Sequence, residues 1–127
     1  MPLVEIHIKK GQSKEFLVSL IKETRSCIHE CLKLTDGDPG IRLTEYEEEF
    51  FQMKPPYQII IKISLFSGRT FETKKALYKQ LTENLEQKTG IQKEEVMILL
   101  DEHPKENWGI RGGIPANELK LGYKVKI

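Results

Sequence analysis

The chain has two cysteines and one tryptophan in 127 residues, and almost no excess charge, with 20 Lys and Arg against 19 Asp and Glu. Each scarcity excludes something. Near-neutrality removes the broad pull toward nucleic acid or an anionic membrane. The apolar runs, such as Ile59-Ile60-Ile61, are far too short to span a bilayer. There is no Gly-x-Gly-x-x-Gly fingerprint, phosphate loop or metal-ligand cluster, so no cofactor and no metal are expected. Cys27 and Cys31, four apart in a helical stretch, share a face while His29 points elsewhere. They read as small buried hydrophobes rather than as a metal or redox pair. The opening residues form a polar-interrupted strand rather than a signal peptide, and cytoplasmic residence is the default expectation.

What is present begins at Pro2, directly before the alternating stretch Leu3-Val4-Glu5-Ile6-His7-Ile8. If Met1 is removed, Pro2 carries a secondary amine, rigid, nucleophilic and basic, with a pKa that a pocket can move. A buried strand starting at the next residue holds that nitrogen at a fixed place. If Met1 stays, the same nitrogen is a tertiary amide without basicity. Excision before a small residue such as proline is the expectation.

The length fits one domain. A strand at about 3–8 leads through Gly11 and Ser13, a plausible N-cap, into a helix from about Lys14 to Leu32. Leu17, Leu20, Ile21, Ile28, Cys31 and Leu32 supply its apolar face. Leu34 to Gly40 is dense in turn formers. Ile41 to Tyr46 alternates weakly, Glu47 to Gln52 reads as a turn into a short strand, and Lys54-Pro55-Pro56 closes the first half. Tyr57 to Phe66 is the strongest strand signal and is expected to lie centrally. Thr70 then caps a helix from about Phe71 to Lys88, striped by Leu77, Leu81 and Leu85 and ended by Gly90. A strand at about Glu95 to Asp101, a Gly-rich hairpin or tight loop over 107–113 and a strand-like tail, Tyr123 to Ile127, follow.

Gly11-Gln12-Ser13-Lys14-Glu15 and Gly68-Arg69-Thr70-Phe71-Glu72 occupy the same place between strand and helix. A duplicated β-α-β unit, with halves at about 1–53 and 54–127, accounts for this. The fold class is α+β: a mixed four-stranded sheet with two helices on one face. The other face is expected to be apolar and uncovered, which points to oligomerisation.

Pro2 opening a strand, the doubled unit, Gly68-Arg69-Thr70 before the second helix and Glu106-Asn107-Trp108-Gly109 near the end together resemble the tautomerase superfamily. The Asp-containing loop at 36–38 and the two-unit length resemble its malonate semialdehyde decarboxylase branch. The resemblance implies a homotrimer and an active site around an amino-terminal proline, acting on a small oxo acid without a cofactor.

Four groups then take roles. Arg69, at a strand-to-helix junction, suits a substrate carboxylate, by bidentate hydrogen bonding reinforced by the helix amino terminus. Pro2 moves a proton, as a base if desolvation and a nearby arginine lower its pKa, or as an acid beside a carboxylate. The branch implies Asp38 as that carboxylate, with Asp36 the alternative and a plain turn role open to both. Trp108 offers an apolar wall, and Arg111 or Arg42 a second cation. The branch carries two arginines before its second helix, whereas this chain has Arg69 alone, so tautomerisation and decarboxylation or hydration both stay open. The remaining reading is a non-catalytic trimeric scaffold that binds a partner.

Overall fold

A computed structural model describes residues 1–35 and 39–127; Asp36, Gly37 and Asp38 lie outside the described residues. The first unit is β1 (Leu3–Lys9), α1 (Lys14–Cys31) and β2 (Gly40–Tyr46). The second is β3 (Ile59–Phe66), α2 (Phe71–Thr89) and β4 (Val96–His103). A two-residue hairpin, β5 (Gly109–Ile110) and β6 (Ile114–Pro115), precedes the tail.

Local chemistry sets the helix ends. The Ser13 hydroxyl accepts from the Phe16 N–H at 3.1 Å, and Thr70 does the same for Thr73 at 3.2 Å. Gly90 ends α2 in the left-handed region at φ 81°, which favours a residue without Cβ.

The sheet order is β2-β1-β3-β4. Each unit pairs its own two strands in parallel, β1 with β2 and β3 with β4, across its helix. The two units meet through the antiparallel β1–β3 pair, with Ile6 opposite Ile61. The strongest strand is therefore central, as its composition predicts. Val4, Ile6 and Ile8 alternate inward along β1, and Ile59, Ile61, Ile63 and Leu65 along β3. They pack under Leu20, Cys27 and Ile28 of α1 and Leu77, Leu81 and Leu85 of α2. Each such side chain contributes on the order of 1.5–3 kcal/mol by leaving water.

The opposite face departs from its expected apolar character. Leu3, Ile60, Met97 and Leu99 lie on it, but the register sets them among Glu5, His7, Arg42, Lys62 and Asp101. Glu5 pairs with Arg42 at 3.5 Å and with His7 at 3.7 Å, and Lys62 with Asp101 at 3.7 Å. The near-continuous apolar reading of 59–66 overlooked that Lys62 and Ser64 fall in phase on one side. The groove on this face is lined mainly by His7, Tyr46, Phe51, Ile60, Lys62 and Leu99.

Three smaller expectations are corrected. The acidic stretch after β2 forms a short 3-10 turn, Glu48–Phe50, not a strand. The fourth strand runs on to His103, two residues beyond the predicted end. The tail forms no strand: it is tied down by side chains instead, with Val125 buried and the backbone oxygen of Ile127 accepting from Thr70 and Thr73. The cysteines fall as expected, Cys27 buried and Cys31 half-buried, with their sulfurs 3.9 Å apart. Among the described residues no helix is long and apolar enough to cross a membrane.

Candidate active site

The start of β1 lies at the finish of β3 and β4, because Leu3 pairs with Ser64 and Ser64 with Asp101. Pro2 is buried there, its carbonyl accepting from the Gly40 N–H at 3.2 Å. Beyond β3 the chain turns through Gly68, at φ +137°, where an added Cβ would stand 3.0 Å from Val125 Cγ1. Only a residue without that atom lets the turn and the tail approach so closely.

That turn delivers Arg69. Its side chain is 6% exposed, and one guanidinium nitrogen, Nη1, donates to the Phe66 carbonyl at 3.2 Å. Nε and Nη2 are buried without a hydrogen-bond partner in the described structure. Burial pushes the guanidinium below its ordinary pKa, while Tyr123 and Glu102 beside it push the other way. Glu102 is itself tied to Lys74 at 2.5 Å, so its charge is largely answered by that lysine.

Trp108 follows the short 3-10 turn Lys105–Asn107. Its ring stands edge-on to Phe66 at 5.2 Å between centroids, and its Nε1 is buried with no hydrogen-bond partner among the described residues. Phe66, Ala116 and Val125 form a small core here, and Met1, Trp108, Ile110, Leu121 and Tyr123 pack against it. The Tyr123 hydroxyl donates to the Met1 carbonyl oxygen. An open cleft of about 510 Å³ beside Trp108 is lined by Ser64, His103, Asn107 and Trp108.

Three donors unanswered among the described residues, two on Arg69 and one on Trp108, thus lie about Phe66, with Arg69 bonded to its carbonyl and Trp108 packed on its ring. A buried donor without an acceptor costs roughly 1–3 kcal/mol. A fork of guanidinium N–H groups is shaped to take a carboxylate by two parallel bonds.

Of the sequence-derived candidates, Pro2 directly precedes the Leu3–Ser64 pair, and Arg69 and Trp108 both contact Phe66 at the end of β3. Arg111 stands exposed at the tip of the β5–β6 hairpin, at φ 52°. Arg42, the other candidate second cation, lies on the open sheet face beside Glu5. Asp38 and its alternative Asp36 lie outside the described residues. The helix end expected to draw the same anion already carries the Thr70 cap and the Ile127 backbone oxygen. Sequence reasoning missed Tyr123, read as part of a tail strand, and the Lys74–Glu102 pair. No local pattern marks either one. Both come from segments far along the chain, and only packing brings them here.

With this geometry in view, the comparisons with known proteins are consistent. The chain belongs to the tautomerase enzymes: the family model described as tautomerase enzyme matches residues 41–111. Probable tautomerase YusQ of Bacillus subtilis (strain 168) is 30% identical over 121 residues, 89% of this chain and 95% of its own. Among solved structures, Pt0534 inactivated by 2-oxo-3-pentynoate superposes with a TM-score of 0.81 at 26% identity, covering 91% of this chain and 97% of that one. A fused 4-OT symmetric trimer gives 0.82 at 22% identity, over 91% and 96%, a likeness of fold alone.

Proposed function

We propose that this tautomerase, once Met1 is removed, uses the Pro2 secondary amine to interconvert the keto and enol forms of a small 2-oxo acid. Arg69 binds the carboxylate through Nε and Nη2, and Trp108 closes the apolar side and offers its indole N–H. The observation that carries this reading is the buried Arg69 fork with two donors unanswered, at the sheet end where Pro2 begins.

The amine acts as a base in this reading. Pro2 is buried, and the Arg69 guanidinium lies near Tyr123, whose hydroxyl donates to the carbonyl oxygen of the Met1–Pro2 peptide bond. Desolvation and a like charge both disfavour protonated nitrogen, which brings an amine pKa down toward neutrality. The proton leaves the carbon next to the oxo group, rests on Pro2 and is returned to oxygen. A 2-oxo acid is favoured because the similar Pt0534 is one that 2-oxo-3-pentynoate inactivates. Decarboxylation of a 3-oxo acid rests on Asp38, which lies outside the described residues, and on a second arginine beside Arg69, which the described residues do not supply. Arg111, exposed at the hairpin tip, stays in the proposal as a further substrate-binding cation.

The protein works as a single domain of two β-α-β halves, about 1–53 and 54–127, assembled as a homotrimer. The uncovered sheet face, with Leu99 53% exposed, supports burial against neighbouring copies, and the similar fused 4-OT is a trimer.

Intact mass of the purified protein, followed by an enol–keto assay on phenylenolpyruvate with carbon dioxide release from a 3-oxo acid in parallel, tests the reading. The expected result is a chain lacking Met1 that ketonises the enol, with Pro2→Ala and Arg69→Ala each reducing the rate at least ~100-fold. A processed Pro2→Ala protein at full rate overturns it, and Met1 retained on cellular protein leaves the scaffold reading in its place.

A further inference from the structure

The tail residue Tyr123 reaches the centre of the proposed site. Its hydroxyl donates to the Met1 carbonyl oxygen, the oxygen of the amide whose nitrogen is Pro2. Amide geometry puts that oxygen about 2.3 Å from the nitrogen. The Tyr123 hydroxyl therefore faces an sp² oxygen held directly beside the Pro2 nitrogen. Tyr123 also lies near enough to Arg69 to act on its charge, and its ring packs against the Phe66–Val125 core. The tail that carries it is pinned on both sides: Gly122, at φ +81°, sits against Thr35, and Ile127 is held by the Thr70 and Thr73 hydroxyls.

When Met1 leaves, its carbonyl leaves with it, and the place beside the amine falls to the substrate. A 2-oxo acid whose carboxylate lies on Arg69 brings its own planar carbonyl to that place. We infer that Tyr123 is a catalytic residue whose hydroxyl donates a hydrogen bond to the oxo oxygen of the substrate, with the Met1 carbonyl as the internal stand-in for that oxygen. This inference rests on the tautomerase reading above and adds to it a residue from the far end of the chain. In the reaction, Pro2 takes the proton from the carbon next to the oxo group. The electron pair of that C–H bond forms the carbon–carbon double bond, and the carbonyl π pair moves to oxygen. Tyr123 holds the developing enolate oxygen by a hydrogen bond and keeps its own proton. Pro2 then gives the same proton to that oxygen, and nothing else is gained or lost. A donor aimed where charge develops is worth roughly 10²–10³ in kcat.

The test uses the processed wild-type protein, Tyr123→Phe and Arg69→Ala. The probes are oxalate, a planar mimic of an enolised 2-oxo acid, and acetate, which has a carboxylate only. Tyr123→Phe is expected to weaken oxalate about tenfold and leave acetate unchanged, since one neutral hydrogen bond is lost. Arg69→Ala is expected to lose both anions. On phenylenolpyruvate, Tyr123→Phe is expected to lower kcat about 100-fold with little change in KM. In wild-type protein labelled at tyrosine Cζ with carbon-13, oxalate but not acetate is expected to move the Tyr123 resonance, a readout that needs no variant to fold. Equal oxalate affinity in wild type and Tyr123→Phe, or an unmoved resonance with oxalate bound, overturns the inference. Wild-type protein that binds neither anion removes the carboxylate site and Tyr123's part in it. Tyr123-dependent oxalate binding without enol–keto turnover supports the hydrogen bond to an oxo oxygen and overturns the tautomerase reading alone.

Discussion

The Thr70 hydroxyl donates to the backbone oxygen of Ile127, 57 residues along the chain, at 3.0 Å, while accepting from the Thr73 N–H at 3.2 Å. One side chain therefore caps α2 and fastens the tail. The residue before it is Arg69 and the tail holds Tyr123, so the same clasp positions the carboxylate fork and the proposed oxyanion donor.

The clasp predicts that the tail adds to global stability. Val125 is 6% exposed in the core beside Phe66. Val125→Ala is expected to cost about 1–2 kcal/mol through lost burial and a residual void. Urea denaturation followed by circular dichroism measures it; an unchanged midpoint would mean the tail is not docked.

Gly68→Ala is expected to be worse than its size suggests. The backbone stands at φ +137°, and the new methyl would meet Val125 Cγ1 at 3.0 Å. Strain of this kind costs on the order of 1–3 kcal/mol. A double variant with Val125→Ala is expected to recover the steric part and not the backbone part, which a double-mutant cycle separates.

Arg69 predicts a trade between stability and activity. Two of its buried donors are unanswered, a burden of roughly 1–3 kcal/mol each. Arg69→Met is expected to raise the denaturation midpoint while abolishing turnover. Arg69→Lys is expected to lose at least ~10-fold in kcat/KM, because an ammonium lacks the planar fork. A bound small carboxylate is expected to raise the melting temperature of the wild type and not of Arg69→Met.

The thiols predict unequal reactivity. Cys27 is 1% exposed, and its contact with Cys31 together with burial pushes its pKa up. Cys31 is half-buried, and the same contact pulls its pKa down. Iodoacetamide at neutral pH is expected to label Cys31 first, read by peptide mass. Because the folded pKa of Cys27 is raised, its contribution to stability is present below the ordinary thiol value of about 8.5 and is lost as pH rises above it. Comparing wild type with Cys27→Ala across pH 7–10 measures that loss.

Much of this was legible in the residues themselves. The alternation of 3–8, the β-branched run of 57–66 and the Leu77-Leu81-Leu85 stripe state their periods openly, and Ser13, Thr70 and Gly90 mark helix ends by chemistry that acts within a turn. Pro2 and Arg69 were visible because each sits at a junction such local signals define. Tyr123 was not, since a lone tyrosine in a polar tail carries no period and no spacing. The charged half of the open sheet face was hidden for a related reason: which of Lys62, Ser64 and Ile60 share a side with Glu5 and Asp101 depends on register between strands.

By itself, then, the order of amino acids determined the two β-α-β units, their caps and the candidate amine and guanidinium, because hydrophobic period and capping are interactions between near neighbours. The tertiary structure alone decided that the guanidinium is buried with two donors unanswered, that the tail returns to the end of α2, and that Tyr123 meets the first peptide bond. Those are contacts between groups far apart along the chain, and only the packing of the sheet, helices and tail creates them.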